Sequence, residues 1–149
     1  MIEFNNFSTR GQVVARRDAG VAFQPAGTQY EIHLGTARPY DGPIGKPVRA
    51  IVRGTARKIW TVPSGGNFVT PIVGEPRIVQ GRIRALDERC AVVQAGVIFI
   101  VDLPADAAAI DLASGAVALN AMVNCVILPG ASLELVRSEV AHSETRSTL

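Results

Sequence analysis

Arginine recurs at every fourth place along Val48–Trp60, which reads V-R-A-I-V-R-G-T-A-R-K-I-W. Successive side chains of a β-strand point to opposite faces, so the spacing puts Arg49, Arg53 and Arg57 on one face with Ile51, Thr55 and Ile59. The other face carries Val48, Ala50, Val52, Gly54, Ala56 and Trp60. Such a segment folds as a half-buried strand with a cationic outer side, and Trp60 falls on the inner side. The stretch 77–86 repeats the arrangement. Ile78, Gln80, Arg82, Arg84 and Leu86 share one face there, and Val79, Gly81, Ile83 and Ala85 the other.

Strand-like runs separated by glycine and proline dominate the rest of the 149 residues. Residues 11–18 and 28–35 read as strands, 38–47 as an irregular loop, and 48–62 as the long cationic strand, with Gly54 marking a bulge or bend. Residues 63–67, P-S-G-G-N, read as a turn. Phe68–Val73 reads as a short strand that Pro71 confines to an edge. Asp87-Glu88-Arg89 joins 77–86 to 90–103 as the clearest hairpin. The run 90–103 is apolar on both faces, as in one central strand. Residues 104–114, opened by proline and closed by Gly115, predict the single helix. Strands follow at 116–128 and 132–136, and the polar residues from 138 predict a frayed tail, as do residues 1–8.

This order of elements resembles the OB-fold arrangement, a small, partly open barrel with a helix between its third and fourth strands. The long strand with its mid-strand glycine, the 77–101 hairpin, the 104–114 helix and the 116–128 strand carry the resemblance, without a residue motif. The expected fold is all-β, a small closed or partly open antiparallel barrel with one short helix. A β-sandwich is the alternative. The chain is long enough for one domain over 1–149, with 9–35 as an extra hairpin outside the barrel.

With 48% hydrophobic and 19% charged residues, general disorder is excluded. Charge is unevenly spread. Residues 46–89 hold nine Lys or Arg against three acids, whereas from 90 onward two Arg face six acids. Cys90 and Cys125 sit in apolar runs and read as two buried free thiols. The first ten residues lack a positive region followed by an apolar stretch, and no run is long enough to span a membrane as a helix. A cytoplasmic protein is expected.

Catalytic chemistry finds little footing. His33, His142, Cys90 and Cys125 have no ligand spacing, and Ser64 and Ser114 lack a G-x-S-x-G frame. Asp102, Asp106 and Asp111 surround the predicted helix, whose dipole explains acids near its start. Ser64-Gly65-Gly66-Asn67 leads toward a strand, not a helix, so a hairpin turn is a better reading than a phosphate loop. No catalytic, cofactor or metal residue is assigned, and an enzyme of unknown class is the least favoured reading. The leading expectation is a non-enzymatic binding or assembly module that self-associates, its basic region meeting an acidic one, with 116–128 and the 68–73 edge as pairing surfaces. The second is an OB-like protein binding single-stranded nucleic acid or another polyanion. Arg49, Arg53, Arg57, Arg82 and Arg84 are the candidate surface in either case.

Overall fold

The alternation at 48–60 belongs to one strand of fifteen residues, Pro47–Thr61. At about 3.3 Å per residue it is roughly 50 Å long, too long for any one neighbour to line. The structure is a computed structural model that describes residues 2–106, 109–111 and 115–136. A 3-10 turn, Phe4–Phe7, is followed by twelve strands: β1 (Thr9–Arg17), β2 (Gly20–Pro25), β3 (Glu31–Gly35), β4 (Pro47–Thr61), β5 (Phe68–Thr70), β6 (Val73–Gly74), β7 (Ile78–Leu86), β8 (Cys90–Gln94), β9 (Ile98–Asp102), β10 (Ile110–Asp111), β11 (Met122–Ile127) and β12 (Ser132–Leu135).

All twelve belong to one hydrogen-bonded sheet that curls back on β4 twice. One circuit runs β4-β12-β3-β2-β1 and returns to β4 at residues 47–50. The other runs β4-β11-β7-β8-β9 and returns at residues 52–55. Closure is partial, since β12 and β3 share a single residue pair, Ser132 with Gly35. The fold is therefore all-β and barrel-like, in one sheet and not the two of a sandwich. It is mixed where an antiparallel barrel was expected, because β9 and β10 run parallel to β4, and β6 and β12 parallel to β3.

One core fills both circuits, with Val13, Phe23, Ile32, Ile59, Val79 and Phe99 among its buried members. Residues 9–35 are accordingly no appendage. They supply three strands of the first circuit and part of that core. A second cluster, Ile51, Cys90, Val92 and Ile100, lies on the opposite side of the second circuit, with Phe4 and Phe7 packed against it. Residues 138–149 lie outside the described residues.

Two one-residue irregularities reverse the inside-outside alternation. The β4–β11 register shifts between Lys58 and Ala56, so Arg57 is the extra residue. Beyond it Ile59 turns inward, fully buried, and Trp60 turns outward, half-buried. The sequence alternation had placed them the other way round. The β7–β8 register shifts at Arg84, which sends Leu86 to the main core and Ala85 to the second cluster. Gly54 is not the bulge. It sits in unbroken pairing with β9, where an added Cβ would stand 3.1 Å from both Ile127 and Phe99.

Three further expectations are corrected. The 90–103 run is a hairpin, β8 and β9, turned at Gly96 with φ +82°; the apolar run conceals the turn because Ala95 and Val97, on either side of the exposed Gly96, are buried. Among the described residues of the predicted 104–114 helix, Ile110 and Asp111 form β10 instead and pair with Ile59 and Trp60. Tertiary pairing overrides local propensity there, and with the helix goes one of the four elements that carried the OB resemblance, the one specific to that arrangement. Residues 107, 108 and 112–114 lie outside the described residues. Finally, 63–67 is no hairpin turn. Strands β4 and β5 are not neighbours, since β11 and β7 lie between them, so the segment crosses the outside of the sheet.

Candidate nucleic-acid interface

The five candidate arginines divide into two groups with different environments. Arg49 and Arg53 face the N-terminal turn. Arg49 donates through Nε and Nη2 to Ser8 Oγ at 3.0 and 2.7 Å. Arg53 forms a two-pronged pair with Asp102, Nε to Oδ2 at 2.9 Å and Nη2 to Oδ1 at 2.7 Å. Its guanidinium also lies 4.6 Å from the centre of the Phe4 ring. Asp102 accepts a further bond from Cys90 Sγ at 3.2 Å. Burial alone would raise the Asp102 carboxyl, but hydrogen bonds from Arg53 and Cys90 outweigh it and hold the group below its ordinary range. The bond to Asp102 raises the Arg53 guanidinium. Burial, then the bond to Asp102, pushes the Cys90 thiol up to about 11, so it is protonated and unreactive at neutral pH. Both cysteines are free and buried.

This cluster is a clamp joining the N-terminal turn, β4, β8 and β9. Because the folded-state pKa of Asp102 is depressed, its stabilisation is present above the unfolded carboxylate value and is lost as pH falls through the folded one. The paired side chains are 39% and 30% exposed, so solvent screening limits their contribution to about 1 kcal/mol. Asp102→Asn is expected to lose that amount at pH 7 and to converge on the parent protein only as pH falls through the depressed folded-state value, below the ordinary carboxylate range, in urea unfolding at pH 7 and across the acid range.

Arg57, Arg82 and Arg84 are exposed and belong with β4, β11 and β7. Arg57 has no side-chain hydrogen bond or ion pair among the described residues. Arg82 donates to the Asn120 carbonyl at 3.0 Å and Arg84 to Gln94 Oε1 at 3.2 Å. Neither has an acidic partner among the described residues. Next to Arg57, Lys58 places its Nζ 5.4 Å from the centre of the Trp60 ring.

Cross-strand register makes a row of these outward residues. Trp60 pairs with Asn124, Asn124 with Gln80, and Gln80 with Phe68. Lys58 with Val126 and Ile78 forms the row on one side, and Met122 with Arg82 the row on the other. The crossing segment lies on this face. Gln80 Nε2 donates to the Gly66 carbonyl at 3.0 Å, and a Cβ on Gly65 would collide with that same Nε2. The resulting surface has a half-buried indole beneath Lys58, two largely buried amides and cations without counter-charges among the described residues. Arg49 and Arg53 are not part of it. Lys58, Gln80 and Asn124 were missed as site residues. Lys58 and Trp60 share a face by simple alternation, which was the available signal, whereas the amides gain meaning only from the pairing of strands distant in sequence.

Other features offer less. His33 Nε2 stands 3.1 Å from Glu31 Oε2 as an isolated pair. An open depression of about 430 Å³ lies between the β1–β2 end and Gly45, with Arg10 as its one charged lining residue. No group of three or more metal-ligating side chains occurs among the described residues, and no helix there is long and apolar enough to cross a membrane. Comparison with protein-family models, curated proteins and solved structures finds no match.

Proposed function

We propose that this chain is a non-enzymatic binding module that takes single-stranded nucleic acid on the outer face of β4, β11 and β7. The carrying observation is the outward turn of Trp60, which brings a half-buried ring onto the same face as Lys58 and Arg82. Cations neutralise phosphates and release counterions, while an exposed ring stacks any base, and a single-strand surface needs both. Arg57 and Arg84 extend the positive charge at its margins.

Self-association is the second reading, favoured by the adjacent exposed side chains of Ile72 and Val73, 61% and 57% accessible. The strand edges offer it less support. Strand β11 is paired on both sides. At the 68–73 edge, the Val69 N–H is taken by the Tyr30 hydroxyl and the Ile72 carbonyl by the Glu31 N–H.

A short oligo(dT) titrated across a salt series tests the first reading. Each phosphate neutralised on a single strand contributes a slope of about −0.7 in log K against log salt, so three or four contacts give roughly −2 to −3. Changing Lys58 and Arg82 together to Ala is expected to make the slope shallower by about 1.4. Arg53→Ala is expected to leave it unchanged, because that guanidinium is held by Asp102. Trp60 is the chain's one tryptophan, so its fluorescence reports directly on stacking. Absence of binding at low salt, or equal binding of base-free polyphosphate with no change in fluorescence, would overturn the reading. A salt-dependent particle mass in light scattering without oligonucleotide would favour self-association.

A further inference from the structure

Asn124 is the one amide on this face with neither a partner nor an exposed position. It is nine-tenths buried in the middle of β11, yet its side chain makes no hydrogen bond among the described residues. Most polar side chains this deep in a strand have a protein partner, so an amide without one is informative. Its polar atoms are not sealed, since no fully buried side-chain nitrogen or oxygen among the described residues lacks a partner. The amide therefore opens at the surface through a small aperture.

Its neighbours define what that aperture faces. Trp60 and Gln80 are the residues directly across from it on the two flanking strands, and cross-strand neighbours on one face stand about 5 Å apart at Cβ. Gln80 is already committed through its Nε2 to the crossing segment. Asn124 thus presents one donor and one acceptor beside an aromatic platform, next to a fixed wall.

Resting on the nucleic-acid reading above, we propose that Asn124 is the specificity-determining residue of a base-reading subsite, and that the base it prefers is adenine. A carboxamide matches adenine in two bonds, accepting from the N6 amino group and donating to N7. The purine also lays a larger ring on the indole than a pyrimidine does, so stacking and hydrogen bonding favour the same base. A base lying on Trp60 with its edge toward β11 would satisfy the amide that the free protein leaves unpaired. Phosphates on either side would meet Lys58 and Arg82.

Three oligomers of equal length separate the outcomes: oligo(dA), oligo(dT), and oligo(dA) carrying 7-deazaadenine, which keeps the ring and the amino group but lacks the N7 acceptor. Oligo(dA) is expected to bind about tenfold more tightly than oligo(dT), within the range a good bidentate pair supplies. The 7-deaza oligomer is expected to lose most of that advantage while still quenching Trp60. In Asn124→Leu the affinities for oligo(dA) and its 7-deaza form should become equal, leaving only the smaller stacking preference over oligo(dT), with the salt slope retained. Equal affinity of the parent protein for oligo(dA) and its 7-deaza form overturns the subsite but leaves the binding face standing. Failure of all three to bind or quench at low salt overturns both. The comparison on the parent protein stands whether or not the variant folds.

Discussion

Gly81→Ala is expected to be among the most damaging single substitutions in the chain, costing about 3 kcal/mol or more. Gly81 lies in β7 where that strand approaches β8, and a Cβ there would overlap the Gln94 carbonyl oxygen, with the Gln94 carbonyl carbon at 2.6 Å and Val93 Cγ1 at 3.1 Å. The obstruction is backbone, so no rotamer change relieves it. Nor can Gln94 retreat, because it pairs with Arg82 on one side and Ile98 on the other. Overpacking typically costs about 1–3 kcal/mol, and sometimes more, when the neighbour is immovable. Against a total stability of roughly 5–15 kcal/mol, that is a substantial share. The control is Gly66→Ala, where an added Cβ meets nothing within 4 Å; its effect is expected within about 0.5 kcal/mol. Urea unfolding of the two variants provides the check. A Gly81→Ala protein as stable as its parent would mean that β7 and β8 do not approach as described. Because Gln80 and Arg82 flank Gly81, loss of this packing should also disperse the binding face.

The long strand, the 87–89 hairpin and the all-β class were legible because each depends on short-range signals: alternation, turn residues and β-branched content. What was not legible depends on single inserted residues and on distant partners. Alternation has a period of two, so one extra residue at Arg57 inverts every later assignment without altering the composition. Trp60 was placed in the core for that reason alone. Arg53 looked like a free cation because its partner, Asp102, lies 49 positions away, and alternation cannot foresee a parallel pairing of β4 with β9. Strand β2 falls between two better alternating runs, 11–18 and 28–35, and alternation leaves it unassigned. Its residues G-V-A-F-Q-P are nearly all buried, so they carry no polar face to announce a strand. Asn124 had no signal of its own, since an asparagine in a strand becomes informative only when its neighbours are known to leave it unpaired.

The inversion at Arg57 can be tested by a pair of adjacent substitutions with opposite expected consequences. Ile59→Ala removes a fully buried side chain from the main core and is expected to cost about 2–5 kcal/mol of stability. Ile59 does not reach the outer face, so oligonucleotide affinity per folded molecule should be retained. Trp60→Ala removes a half-buried ring from that face and is expected to cost about 1 kcal/mol, the middle of the range for point substitutions and less than a core truncation. Its binding loss should be large: base stacking on an aromatic ring contributes about 1–3 kcal/mol per base, a fall of roughly 5- to 150-fold in affinity. Since this variant lacks the fluorescent reporter, anisotropy of a labelled oligonucleotide is the measurement. Uninterrupted alternation along β4 would reverse both results, with Trp60→Ala unfolding the protein and Ile59→Ala nearly silent. Stability lost at 59 and binding lost at 60 would locate the bulge and the functional face together, because the extra residue that buries Ile59 is what delivers the ring to solvent.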